Sequence, residues 1–284
     1  MGRQRPGKTP AETVDGPGPV AGRYPVDTGT CELLPDQFNS NGWILKINGV
    51  HSSHIDLADP RQLDFEYMRW IAALVDTHWA PDAKLRALHL GGGACSLARY
   101  FAAGYPNARQ VVVELDGRLA ELVRGWFDLP RAPLMRLRVG EARAVTETLH
   151  DDSRDLVIRD VFAGDKTPEA LTTLEFTGHA ARVLAPGGLY ILNCGDTPDL
   201  RGARREAAAV CAVFAHTAIV ADPAMLKGRR YGNIIIAGSD VPFAEHPSLP
   251  RTLLGGGVPA HLWDDAQVRG FAAGTQPLTD AKAT

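Results

Sequence analysis

The spacing of apolar positions changes period along the chain, and each change marks an element. From Cys31 to Asp56 short apolar runs are broken by Asn41-Gly42 and Asn48-Gly49, with Trp43, Leu45 and Ile47 alternating against polar neighbours. Period-two alternation bounded by such turns predicts half-buried strands in a small β-meander. Residues 62–79 (QLDFEYMRWIAALVDTHW) place Leu63, Tyr67, Trp70, Ile71, Leu74 and Val75 at helical spacing, which predicts a linking helix. From Leu85 onward the apolar runs LRALHL, QVVVEL, LRV, DLVIRDVF, GLYILN, TAIVAD and NIIIAGS alternate with helical segments such as SLARYFAAG and GRLAELVRGWF. Strand and helix in alternation predict a parallel sheet covered on both faces.

The last connection breaks that rule. Only PAMLKGRRYG separates TAIVAD from NIIIAGS, too little for a crossover helix of ordinary length, so the last strand is expected to be antiparallel. A mostly parallel seven-stranded sheet closed by such a hairpin is the layout of the class I S-adenosylmethionine-dependent methyltransferase-like Rossmann fold, an α/β class. The predicted organisation is a disordered tail over 1–24, the meander and linking helix over 25–80, and a nucleoside-binding domain over 81–245. A C-terminal extension over 246–284 is expected to end in disorder, because its composition is polar and without periodicity.

Composition narrows the function classes. With 284 residues, 45% of them hydrophobic, the chain can bury a substantial core. A net charge of −3 and no basic stretch interleaved with aromatics argue against a nucleic-acid partner. No apolar run approaches the roughly 20 residues of a membrane span, and the N-terminus lacks an apolar signal core, so a cytoplasmic protein without a membrane partner is expected. Cys31, Cys95, Cys194 and Cys211 have neither zinc-ligand nor disulfide spacing and are expected to be free. His51 and His54 lack a further ligand motif and are read as surface or loop residues, so no metal is expected. Cys95 opens a helix, where a thiol pKa can fall, but close packing is the preferred reading because no His motif accompanies it.

The candidate chemistry lies at the strand ends. Gly91, Gly92 and Gly93 follow the first strand of the parallel run, where a ligand of a doubly wound sheet approaches the backbone. Glu114 ends the second strand at the distance suited to a ribose diol, Glu141 follows the third, and Asp160 follows the core of the fourth. Unpaired buried carboxylates are costly, so three successive acids suit a nucleoside with hydroxyls, an exocyclic amine and a cation. GGGACS matches the first and third positions of a dinucleotide fingerprint but has Ser96 at the sixth, and a pyrophosphate would favour basic groups over a ring of acids. The glycines alone also fit a tight turn without ligand.

The segments NGVHSS, FEYM, LHLGGG, VELD, GEA, the strand ending in Asp160, and RRYGN together resemble the spermidine synthases and other polyamine aminopropyltransferases, over about Trp43 to Ser239. The resemblance implies aminopropyl transfer from decarboxylated S-adenosylmethionine, the co-substrate, to a small-molecule amine such as putrescine, in a homodimer. It assigns the nucleoside to Gly91, Gly92, Gly93, Glu114, Leu115, Asp116, Glu141 and Ala142, and catalysis to Asp160 and Tyr67. It sets Ser52, Asp165 and Tyr231 on the acceptor side. Departures stand beside the matches. The family's GGGDGG turn has Ala94 in place of the acid, its DSxD-type motif has Ala163 in place of the second acid, and Ser52 stands where a glutamine is usual. Loss of the acid at Ala94 is expected to weaken discrimination against intact S-adenosylmethionine. Two alternatives remain open: a methyltransferase or aminocarboxypropyltransferase using intact S-adenosylmethionine, and a catalytically silent nucleoside-binding protein.

Overall fold

A computed structural model describes residues 18–164, 166–243, 248–255 and 257–283. Asp165, a candidate on the acceptor side, lies outside the described residues. Strands β1 (Gly22–Val26), β2 (Gly29–Pro35), β3 (Gly42–Ile47) and β4 (Val50–Asp56) form an antiparallel sheet in chain order. It begins inside the segment expected to be a tail. Asn48 (φ 50°) and Gly49 (φ 83°) are both left-handed and join Ile47 to its partner Val50, the two-residue hairpin that Asn-Gly favours. Asn41-Gly42 instead closes a longer loop. Helix α1 (Glu66–His78) buries Tyr67, Trp70, Ile71, Leu74 and Val75 against the second sheet.

That second sheet holds β5 (Arg86–Leu90), β6 (Arg109–Glu114), β7 (Met135–Val139), β8 (Arg154–Arg159), β9 (Leu184–Asp196), β10 (His216–Ala221), β11 (Gly232–Ser239) and β12 (His261–Trp263). Its order is β12-β10-β11-β9-β8-β5-β6-β7. Strand β11 runs antiparallel to both β9 and β10, as the short connection requires. That connection contains only the four-residue α7 (Pro223–Leu226), started by Pro223 and capped by Asp222. The sheet has eight strands where seven were expected, because the three-residue β12 adds to the β10 edge.

Helices α2 (Ser96–Gly104), α3 (Gly117–Trp126), α4 (Ala142–Glu147), α5 (Leu174–Val183), α6 (Arg201–Val213), α8 (Ser248–Leu254) and α9 (Asp265–Ala272) complete the layers. Residues such as Leu88, Val157, Ile191 and Ile234–Ile236 are fully buried because both faces of the sheet are covered. The C-terminal end is not the expected disorder up to residue 283. Leu278 O accepts from Leu174 N at 2.8 Å, Asp280 N donates to Glu175 at 2.9 Å, and the Asp280 carboxylate takes a bidentate hydrogen bond from Arg143.

What positions the site is the reversal of strand order between β5 and β8. Successive strands run outward from β5 through β6 and β7 on one side, and from β8 through β9 on the other. The loops after β5 and β8 therefore diverge and leave a crevice at the carboxyl edge.

Candidate active site

Each glycine of the loop after β5 is small for a different reason. Gly91 has φ 91°, and a Cβ there would stand 2.1 Å from the Asp160 carbonyl oxygen, so its bareness lets the ends of β5 and β8 meet. Gly93 (φ 48°) would drive a Cβ to 2.6 Å from Ser53 Oγ on the meander. Gly92 lies under Glu114. The Glu114 carboxylate spans the loop: Oε2 accepts from Gly92 N at 2.9 Å and Gly93 N at 3.1 Å, and Oε1 from Asp116 N at 3.0 Å. These bonds fix its direction and leave one lone-pair site open, on Oε1.

Leu115 is 61% exposed next to it, and Val139 at the end of the neighbouring strand is 57% exposed, two apolar edges at the crevice. Asp116 is not available to a nucleoside. It is 1% exposed, caps α3 through Leu119 N at 2.8 Å, and accepts from both Thr28 N and Thr28 Oγ1 at 2.7 Å, which ties the β1–β2 turn to the large domain. Glu141 caps α4, accepting from Arg143 N at 2.9 Å and Ala144 N at 2.7 Å, and stays exposed; Ala142 is the buried first residue of that helix.

Across the crevice, Asp160 is held from two sides. Tyr67 on α1 donates its hydroxyl to Oδ2 at 2.9 Å, and Asn193 on β9 donates Nδ2 to Oδ1 at 3.0 Å. Burial pushes the Asp160 carboxyl above its ordinary range, against the pull of those two donors and of Arg159. Burial and the neighbouring Asp160 carboxylate also push the Tyr67 phenol well up, so it remains a donor. A cavity of about 20 Å³ lined by Met68, His89, Gly91, Gly92, Cys95 and Asp160 joins the two sides.

The meander closes the loop from above. Ser53 Oγ accepts from Ala94 N at 3.0 Å, and Ser96 Oγ donates to His54 O at 2.8 Å; Ser52 is half-buried beside them. The Ala94 side chain is fully buried with Cys31, Leu33 and Leu45, so an acid there would enter an apolar layer. Ala163 is exposed after β8. Tyr231 lines a separate cavity of about 350 Å³ at the end of β9, with Lys166, Asp196, Arg201 and Arg205.

The reading of His54 changes, and that of Cys95 does not. His54 is a buried strand residue paired with Asp36 at 3.0 Å, whereas His51 is exposed. The Cys95 thiol is pushed up to about 12 by burial, which suits packing and not attack. Sequence reasoning missed Ser53 and Asn193. Asn193 left a trace, a polar residue inside the otherwise apolar run YILNC. Among the described residues no group of three or more His, Cys, Asp or Glu could hold a metal, and no helix is long and apolar enough to cross a membrane.

No family model matches the chain. Polyamine aminopropyltransferases of Chromobacterium violaceum and Vibrio vulnificus are 30% and 26% identical over 141 and 142 residues, 50% and 49% of this chain. This chain spans about half the length of these curated relatives, 53% and 46%. The spermidine synthase of Thermotoga maritima (13% identity, TM-score 0.60, 88% of this chain and 83% of that one) shares the fold. Human methyltransferase-like protein 13, crystallised with SAH, also shares it (19% identity, TM-score 0.55, 76% and 96%). A crystal structure of a probable spermidine synthase from Corynebacterium glutamicum superposes with a TM-score of 0.88 and is 54% identical over 92% of this chain and 97% of that one. Identity of that order across nearly the whole of both chains means that the chain belongs to the spermidine synthase family.

Proposed function

We propose that this chain transfers an aminopropyl group from decarboxylated S-adenosylmethionine to a small-molecule amine such as putrescine and releases methylthioadenosine. The observation that carries the reading is the Asp160 carboxylate, held by Tyr67 directly across from the Gly91–Gly93 loop and Glu114. In this reading the open lone pair of Glu114 Oε1 takes a ribose hydroxyl, Leu115 and Val139 flank the base, and Glu141 receives its amine. Asp116 drops out of the binding set.

The chemistry follows from the charges. An alkylamine with a pKa near 10 is mostly protonated at pH 7, so the enzyme must hold a cation and remove one proton. Asp160 binds the ammonium and accepts that proton, and a carboxyl raised by burial is a better match to the working pH than an exposed one. The freed lone pair forms the N–C bond to the methylene beside the sulfonium. The C–S bond breaks with its electron pair going to sulfur, leaving a neutral thioether. Holding nitrogen and carbon about 3 to 3.5 Å apart in line supplies much of the acceleration. Tyr67 donates to Oδ2 of Asp160 and fixes the direction in which the carboxylate faces the amine.

A homodimer and a cytoplasmic location go with this reading; light scattering and cell fractionation test them. The decisive experiment offers both donors with putrescine and identifies products by mass. Aminopropylated amine and methylthioadenosine support the reading, and a methylated product from intact S-adenosylmethionine replaces it with methyl transfer.

A further inference from the structure

Asn193 is 1% exposed on β9, and its amide is only half used. Nδ2 donates to Asp160 Oδ1 at 3.0 Å, while Oδ1 has no hydrogen-bond partner. Turning the amide over would set one acceptor against another at that distance, so the carboxylate dictates which end faces it. The orphaned oxygen carries the full desolvation penalty of a buried acceptor. Its neighbours on the same strand, Ile191 and Leu192, are apolar and buried, and an apolar residue at 193 would serve packing at least as well.

We propose that Asn193 is a positioning residue for the transfer, which donates to Asp160 Oδ1, fixes the carboxylate's rotation and turns one lone pair of each of its oxygens into the crevice. The role in transfer rests on the aminopropyl reading; the hold on Asp160 does not. With Asn193 on Oδ1 and Tyr67 on Oδ2, each carboxylate oxygen carries one donor and keeps capacity for another. The amine then meets a carboxylate that cannot rotate. Among the described residues, the titratable or charged groups facing Asp160 are Tyr67 from α1, Arg159 on its own strand, and His89 and Cys95 across the small cavity. Arg159 is itself committed to Glu206 in the core. Removing Asn193 therefore takes away a donor that nothing nearby replaces.

The test reads the Asp160 carboxyl directly. With carboxyl-¹³C aspartate incorporated and the Asp160 signal assigned by its loss in Asp160→Asn, the titration is followed in wild type, Asn193→Leu and Asn193→Asp. In Asn193→Leu the Asp160 titration should rise by about one to two pH units, the equivalent of one lost hydrogen bond to a charged group. The acid limb of kcat/KM should move with it, and the thermal midpoint should change little, because relief of the orphaned acceptor offsets the hydrogen bond lost from Asp160. Asn193→Asp keeps the shape and places two carboxylates together, so the upper titration of the pair should rise further. A merely structural role would lower the midpoint and leave both titrations where they were. Unchanged titration in the folded variants overturns the proposal, and Asn193→Asp decides it if Asn193→Leu does not fold. A titration shifted in the variants, beside a wild type that makes no aminopropylated product, overturns the transfer reading alone.

Discussion

Asp116→Ala separates a structural acid from a binding one two residues away. In the wild type the Asp116 carboxylate accepts from Leu119 N, Thr28 N and Thr28 Oγ1 and is nearly inaccessible to solvent. Removing an N-cap of this type costs about 0.5 to 2 kcal/mol. Each hydrogen bond to a charged group is worth about 1.5 to 3 kcal/mol, and the Thr28 N–H would be left without its partner. The effects overlap on one side chain, so about 3 to 5 kcal/mol of stability should be lost. Urea denaturation followed by tryptophan fluorescence reads this loss, because Trp126 packs at the end of α3. Methylthioadenosine affinity, measured by calorimetry well below the unfolding transition, should change little. The pH dependence has a definite sign. Burial would raise the Asp116 carboxyl, but its hydrogen bonds outweigh burial and hold it below the usual carboxylate range. Its contribution is thus complete above the unfolded carboxyl pKa of about 4 and is lost as pH falls through the lower folded value. A stability loss below about 1 kcal/mol would refute the reasoning, as would a selective loss of nucleoside binding in a fully stable variant.

Glu114→Ala should instead weaken methylthioadenosine binding, by about 1.5 to 3 kcal/mol for the charged hydrogen bond to the ribose, on top of the loosening of the Gly92–Gly93 loop that it braces; unchanged calorimetric affinity would remove Glu114 from the site. Ala94→Asp should not act as a donor switch but should destabilise the fold by several kcal/mol, since its carboxylate would be buried among Cys31, Leu33 and Leu45. A thermal midpoint equal to wild type would contradict that burial. The rate profile should show an acid limb above the usual aspartate range. Asp160 acts as a carboxylate and burial raises its pKa, so activity falls as pH drops through that raised value. A kcat/KM flat down to pH 4 would contradict this.

The sheet was legible because strands covered on both faces leave unbroken apolar runs, and the hairpin closing it was legible from the shortness of PAMLKGRRYG. Strand β12 was not, since three residues cannot display a period. The C-terminal end reads as disorder by composition, yet contacts with Leu174, Glu175 and Arg143 hold it, and polar sequence gives no sign of such distant partners. In the site, the convergence of Gly91, Glu114, Asp160 and Tyr67 on one crevice was legible from strand-end positions and from the motif segments. Asp116 misled for a physical reason: two acids two residues apart look alike in sequence, and the partner that claims Asp116 is Thr28, 88 positions away. Asn193 escaped notice because a lone amide in a buried strand has no motif.

The most direct test of the central claim is product analysis of wild type and Asp160→Asn with decarboxylated S-adenosylmethionine and putrescine. The account predicts spermidine and methylthioadenosine in equal amounts from the wild type, and a rate lower by roughly 100-fold or more in the variant with nucleoside affinity largely kept. Equal turnover by wild type and Asp160→Asn, or no aminopropylated product from a wild type that binds methylthioadenosine, would contradict it.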